Sequence, residues 1–170
     1  MSVAFLSFGS NKGNRLQNIL TAYEDVSSYI GITEIKSDIF ETESWGYKDN
    51  NYLNSVLKIN TNLLPLDLLD IILKIEKNSG RKHKTYFKNG KPVYRSRETD
   101  IDILFYEQQI INSERLTVPH KFLHKRLFVL KPLMQIAPDF IHPVFKVSVK
   151  ELYLNCKDKS KISIYKKCRS

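Results

Sequence analysis

Few features of this 170-residue chain point to an extracellular or membrane protein. Its two cysteines, Cys156 and Cys168, both lie near the C-terminus, too few for a disulfide framework, and they are expected to be reduced thiols. No apolar run approaches the roughly 20 residues needed to span a bilayer, and no basic start leads into an apolar signal core. The protein is expected to stay in the cytoplasm. With only six glycines, the chain has no glycine-rich phosphate loop. Gly90-Lys91 is its one Gly-Lys pair, but Thr85 stands where the first glycine of such a loop is needed, and Pro92 follows the lysine instead of a hydroxyl residue. The Gly-x-Gly-x-x-Gly pattern of protein kinases is also missing, so any triphosphate has to be held by cationic side chains and metal ions. Acids are in short supply, 18 against 27 Lys and Arg, giving a net charge of +9 and an affinity for polyanions.

What is present fits a single soluble domain with an ordinary hydrophobic content of 42%. The basic residues gather in two places. Arg81, Lys82, Lys84, Lys88, Lys91, Arg95 and Arg97 form a cluster with no acid among them, and Lys157, Lys159, Lys161, Lys166, Lys167 and Arg169 form a tail, read as a solvated extension. Next to the first cluster comes Asp100-Ile101-Asp102-Ile103-Leu104-Phe105-Tyr106. In a strand, Ile101, Ile103 and Phe105 would enter a core while the two aspartates, about 6.5 Å apart along the chain, share the opposite face. Two such carboxylates repel unless a cation lies between them. Mg²⁺ takes one or two carboxylates plus substrate phosphates, so the pair points to phosphate chemistry.

Hydrophobic periodicity gives the order of elements. Val3 to Phe8 reads as a buried strand. Leu16, Ile19, Leu20, Tyr23 and Val26 recur at helical spacing behind a cap at Asn14. Ile32 to Phe40 is a weaker strand and Leu53 to Ile59 a stronger one. Pro65 opens a second helix with a stripe of Leu68, Ile71, Ile72 and Ile75. Residues 81–96 read as a long mobile loop, of a length that is usually functional. Pro132 is expected to open a short helix to Ala137, and Ser148 to cap a last one. The order βαββαβ predicts an α+β, ferredoxin-like sandwich, an antiparallel sheet with helices on one face and the active site on the other. Residues 1–155 form the predicted domain and 156–170 a basic C-terminal extension.

Four separated stretches carry a likeness to a known family. They are Phe8-Gly9-Ser10-Asn11-Lys12-Gly13-Asn14-Arg15; Phe40 through Tyr47 with Tyr52-Leu53-Asn54; Ile75-Glu76 with Gly80-Arg81; and Arg97 through Tyr106 continued by Leu116 to His120, Arg126 and Phe128. Through them the chain resembles 6-hydroxymethyl-7,8-dihydropterin pyrophosphokinase, a folate-pathway enzyme. The resemblance implies transfer of pyrophosphate from ATP to the pterin alcohol with release of AMP. It implies two Mg²⁺ ions on Asp100 and Asp102, with Arg97 as a further catalytic residue. It also implies ATP contacts at Glu76, Arg81, His83, Arg97, Ile103, Arg115, Thr117, His120 and Arg126. The implied pterin pocket contains Thr42, Trp45, Tyr52, Asn54 and Phe128, with Tyr94 as a further aromatic. The expected partners are ATP and a reduced pterin alcohol, with no nucleic acid or membrane, and the enzyme is expected to be a monomer.

Three positions depart from the pattern. Tyr94-Arg95-Ser96-Arg97 stands where Trp-Gly-Pro-Arg is frequent, Glu43 where proline is common, and His83 where arginine is frequent. No residue identifies itself as a general base, and Asp102 and a metal-bound water both remain open as proton acceptors. Another reading of a basic ferredoxin-like sandwich is an RNA-binding module, but the Lys/Arg-Gly-Phe strand motif is absent and acids occupy the key strand. His120 and His124 are four apart, but Pro119 opposes a helix there and no third ligand follows, so zinc is not expected.

Overall fold

The apolar run near the N-terminus is continuous rather than alternating, the pattern of a strand buried on both faces, and in the computed structural model it is the strand around which the sheet is built. The structure describes residues 1–44, 50–79, 86–88, 91–93 and 98–168, with 86–88 and 91–93 as backbone. In chain order the elements are β1 (Ser2–Ser10), α1 (Arg15–Tyr29), β2 (Gly31–Lys36), β3 (Ile39–Thr42), β4 (Tyr52–Thr61), α2 (Pro65–Asn78), β5 (Tyr86–Lys88), β6 (Lys91–Val93), β7 (Asp100–Tyr106), β8 (Ile111–Asn112), β9 (Thr117–Val118), α3 (Leu127–Ile136), α4 (Val149–Leu154) and β10 (Ile162–Lys166). One turn of 3₁₀ helix, Leu123–Lys125, precedes α3. No helix among the described residues is long and apolar enough to cross a membrane.

The main sheet is antiparallel, in the order β10-β3-β4-β1-β7, and β2 also pairs with β4. The predicted strand from Ile32 to Phe40 is thus two strands. They break at Ser37, whose side-chain oxygen accepts from Val56 N at 2.9 Å in place of a ladder bond. Gly31 opens β2 where a Cβ would lie 2.2 Å from Asn60 O, so only glycine fits this approach. The predicted caps hold. Asn14 accepts from Gln17 N at 3.1 Å, Pro65 occupies the first turn of α2, and Ser148 forms a capping box with Glu151.

Two cores sandwich the sheet. On one face Leu6, Phe8, Leu57, Ile59, Ile101 and Ile103 pack against Ile19 and Val26 of α1 and Leu68 and Ile72 of α2. On the other, Phe5, Val56 and Phe105 pack against Val129, Leu130 and Leu133 of α3 and Val149 of α4. The expectation of helices on one face only is therefore corrected. The strongly apolar α3 needs a surface to bury, and the second set of β1, β4 and β7 side chains supplies it.

Four further expectations change. The β1–β7 register shifts where Phe5 opposes Phe105 and Leu6 opposes Ile103, so Leu104 bulges and Phe105 turns to the α3 core instead of joining Ile101 and Ile103. The third helix starts at Leu127, with Pro132 inside it rather than at its start. Residues 81–96, read as loop, contain a two-stranded ribbon in which Tyr86 pairs with Val93 and Lys88 with Lys91. The basic tail, read as a loose extension, contributes β10 to the sheet edge.

Candidate active site

Strand alternation builds the site on the face that α3 covers only in part. Asp100 lies opposite Gly9 and Asp102 opposite Ser7, while Ile101 between them is fully buried in the α1–α2 core. Both aspartates are half-buried and share one face, as predicted. The backbone between them is anchored from α2, where buried Glu76 accepts a hydrogen bond from Ile101 N at 2.9 Å. Glu76 is placed as a neighbour of the acids that fixes their strand.

The chain after β9 brings a histidine to this pair. His120 N donates to Leu104 O at 3.0 Å, which ties the residue to β7, and Nε2 lies 3.8 Å from Asp102 Oδ2. Phe122 N donates to His120 Nδ1 at 3.3 Å, so the neutral ring carries its proton on Nε2, the nitrogen facing Asp102. A few residues on, the Arg126 guanidinium lies over the rings of Phe122 at 5.1 Å and Phe128 at 5.7 Å. Such contacts with ring faces help hold a cation in place.

Beyond Gly9 the same face becomes a polar recess. Gly9 pairs with Asn54, which in turn pairs with Phe40, and Thr42 pairs with Tyr52. Asn54 Nδ2 donates to Thr42 Oγ1 at 2.7 Å, and both residues are buried. A Cβ on Gly9 would stand 3.5 Å from Asn54 Oδ1 and 3.8 Å from the Tyr52 ring, so the missing side chain is what opens space beside the amide and the ring. This role of Gly9 was not read from the sequence, although a glycine inside a strand is the signal of a close approach.

The remaining candidates separate. The Ile103 side chain is 5% exposed and belongs to the α1–α2 core, so it does not reach the acidic face, and only its backbone on the terminal strand can meet a ligand. Arg115 forms an exposed ion pair with Asp70 of α2, and Thr117 is exposed on β9. Trp45, Arg81, His83, Tyr94 and Arg97 lie outside the described residues.

The donor set suits a hard divalent cation that shares its ligands with phosphate. Among the described residues no group of three or more His, Cys, Asp or Glu side chains forms a complete protein cage. Two half-buried carboxylates on one face are what Mg²⁺ requires when a substrate supplies the other oxygens.

Comparison with known proteins identifies relatives of the chain. The family model described as 7,8-dihydro-6-hydroxymethylpterin-pyrophosphokinase (HPPK) matches residues 5–138. The chain is 43% identical over 152 residues to the 2-amino-4-hydroxy-6-hydroxymethyldihydropteridine pyrophosphokinase of Aquifex aeolicus, covering 89% of this chain and 90% of that protein. It is 41% identical over 143 residues to folic acid synthesis protein fol1 of Schizosaccharomyces pombe, spanning 83% of this chain and 19% of that longer protein. The crystal structure of wild-type Plasmodium falciparum HPPK-DHPS superposes with a TM-score of 0.69 at 18% identity, covering 91% of this chain and 43% of that one, a likeness of fold.

Proposed function

Because this chain belongs to the 7,8-dihydro-6-hydroxymethylpterin-pyrophosphokinase family, and is thus a pyrophosphokinase in folate biosynthesis, we propose that it transfers pyrophosphate from ATP to 6-hydroxymethyl-7,8-dihydropterin, releasing AMP. The observation that carries the reading is the juxtaposition, on one sheet face, of the Asp100–Asp102 pair with the Gly9, Thr42, Tyr52 and Asn54 recess. This membership replaces the RNA-binding alternative. The βαββαβ order with β1 and β4 central favours a ferredoxin-like sandwich with α3 and α4 added on the second face.

In this reading the pterin ring lies in the recess beside Gly9. The Asn54 amide, fixed by its bond to Thr42, pairs with the donor and acceptor edge of the heterocycle, and Tyr52 and Phe128 supply ring faces. Asp100 and Asp102 would hold Mg²⁺, which supplies charge neutralisation and alignment of the triphosphate when bound. Arg126, steadied by Phe122 and Phe128, adds positive charge at the phosphates. Protonated His120 would do the same beside Asp102. The hydroxymethyl oxygen attacks the β-phosphorus, the bond from that phosphorus to the α–β bridging oxygen breaks, and AMP departs with that oxygen while the hydroxyl proton is released. Arg97 and the basic residues 81–95 are proposed to close over the triphosphate and exclude water.

The test is incubation with ATP, Mg²⁺ and the reduced pterin alcohol, with the nucleotide product identified. AMP formed one-for-one with pterin diphosphate supports the reading. ADP as product would replace it with ordinary phosphoryl transfer.

A further inference from the structure

The family match ends at residue 138, yet the chain beyond α4 returns to both walls of the recess. Asp158 Oδ2 accepts from Leu127 N at 3.0 Å, at the start of α3 and between Arg126 and Phe128. The other oxygen, Oδ1, accepts from Ser160 N at 2.9 Å and from the Ser160 hydroxyl. Burial would raise the Asp158 pKa, but the bonds from Ser160 and Leu127 outweigh it and hold the carboxyl below its ordinary value, so the acceptor is ionised at neutral pH. An ionised acceptor at a helix start satisfies an orphan N–H and complements the helix dipole.

Beyond Ser160, β10 lies along β3. Ile162 pairs with Thr42, Ser163 with Glu41 and Ile164 with Phe40. Tyr165 lies 5.7 Å from the guanidinium of Arg15, which is ion-paired with Glu41 at 2.6 Å and donates to Asn51 O at 2.9 Å, next to Tyr52. At the far end Cys168 N donates to Asp38 Oδ1 at 3.0 Å, while Asp38 Oδ2 accepts from Gln135 Nε2 of α3 at 3.0 Å. The segment thus touches the strand that carries Thr42 and the start of the helix that carries Phe128, and it is linked to the far end of that helix through Asp38.

We infer that Asp158–Cys168 is a positioning strap for the pterin subsite, in which Asp158 sets the α3 start bearing Arg126 and Phe128 while β10 sets the β3 wall bearing Thr42. The inference rests on the function proposed above. It adds positioning residues at Asp158, Arg15 and β10, outside the recess itself.

The test compares wild type, Asp158→Ala, Asp158→Asn and a chain ending at Lys161, measuring kcat and separate KM values for the pterin and ATP, with amide hydrogen exchange at residues 40–42 and 127–130. Asp158→Ala is expected to raise the pterin KM about tenfold, the low end of what a hydrogen bond to a charged group contributes, and to raise the ATP KM as well, because Arg126 shifts with the α3 start. Asp158→Asn keeps an oxygen acceptor and should recover most of the loss. The shortened chain should raise the pterin KM and speed exchange at 40–42. A pterin KM unchanged in Asp158→Ala, or a parallel rise in both KM values in the shortened chain, which keeps Asp158 and loses only the β3 contact, overturns the strap even if melting temperatures fall. A wild-type enzyme inert toward the pterin overturns the functional reading and the ligand named here. Unaltered exchange in the variants overturns the strap alone.

Discussion

Replacing Glu76 should weaken the fold and the chemistry together, because its carboxylate holds the N–H of Ile101, the one residue between the two acids of the site. The side chain is 1% exposed and accepts from Ile101 N at 2.9 Å. A hydrogen bond to a charged group contributes about 1.5–3 kcal/mol. Truncation to alanine also removes one buried methylene, worth about 0.8 kcal/mol, and relief of carboxylate desolvation offsets part of the sum. A net loss of about 2–3 kcal/mol follows, which for a protein of this size lowers Tm by about 4–12 °C. Glu76→Gln retains an oxygen acceptor and should lose about 1 kcal/mol. Calorimetry gives the stability order, wild type above Gln above Ala. Initial rates at saturating substrates should fall most for Ala, since β7 then holds Asp100 and Asp102 less firmly. An alanine variant that melts within about 1 °C of wild type and retains full kcat would refute the reasoning.

Other consequences are as direct. Gly9→Ala adds a methyl at ordinary contact distance from Asn54 and Tyr52, so Tm should hold while the pterin KM rises and the ATP KM does not; equal KM values would mean the recess is not the pterin site. Arg115→Ala breaks an exposed pair with Asp70 and should alter stability by less than about 1 kcal/mol, so a raised ATP KM in a normally stable variant would mark Arg115 as a nucleotide contact, and an unchanged one would remove it from the site. Burial, reinforced by nearby His124, lowers the His142 pKa from 6.5 to about 4. The unfolded chain therefore binds the proton more readily between these values, and stability should decline as pH falls from about 6.5 toward 4. A urea midpoint that is flat from pH 7 to pH 5 would contradict this, as would one that rises on acidification.

The legible parts of the fold are those where one short-range rule decides. Asn14, Pro65 and Ser148 marked helix starts because capping is local, and the Asp100-Ile101-Asp102 alternation holds because side chains on a regular strand change face at each residue. What escaped depends on distant partners. Phe105 left its predicted core because a bulge at Leu104 is set by pairing with Phe5 and Leu6, which nothing within the β7 sequence records. The start of α3 was misplaced because Pro132 looked like a first-turn residue, whereas the helix begins five positions earlier, beside the Asp158 carboxylate. The basic tail looked solvated from composition alone, yet β10 lies along β3 and leaves its lysines at the surface. The site followed the same division. Its acids were readable from strand alternation, and Asn54 and Thr42 from the family resemblance, but the bond between those two, the approach of Asn54 and Tyr52 to Gly9 and the anchoring of Ile101 by Glu76 required the assembled sheet.

The most direct test of the central claim measures divalent-ion binding rather than turnover. Mn²⁺ is titrated in the presence of a non-hydrolysable ATP analogue and followed by electron paramagnetic resonance, for wild type, Asp100→Asn and Asp102→Asn. The account predicts that nucleotide and the acidic pair together bind about two ions tightly, and that each substitution weakens binding at least tenfold while the protein stays folded. Identical Mn²⁺ isotherms for the three proteins would contradict it.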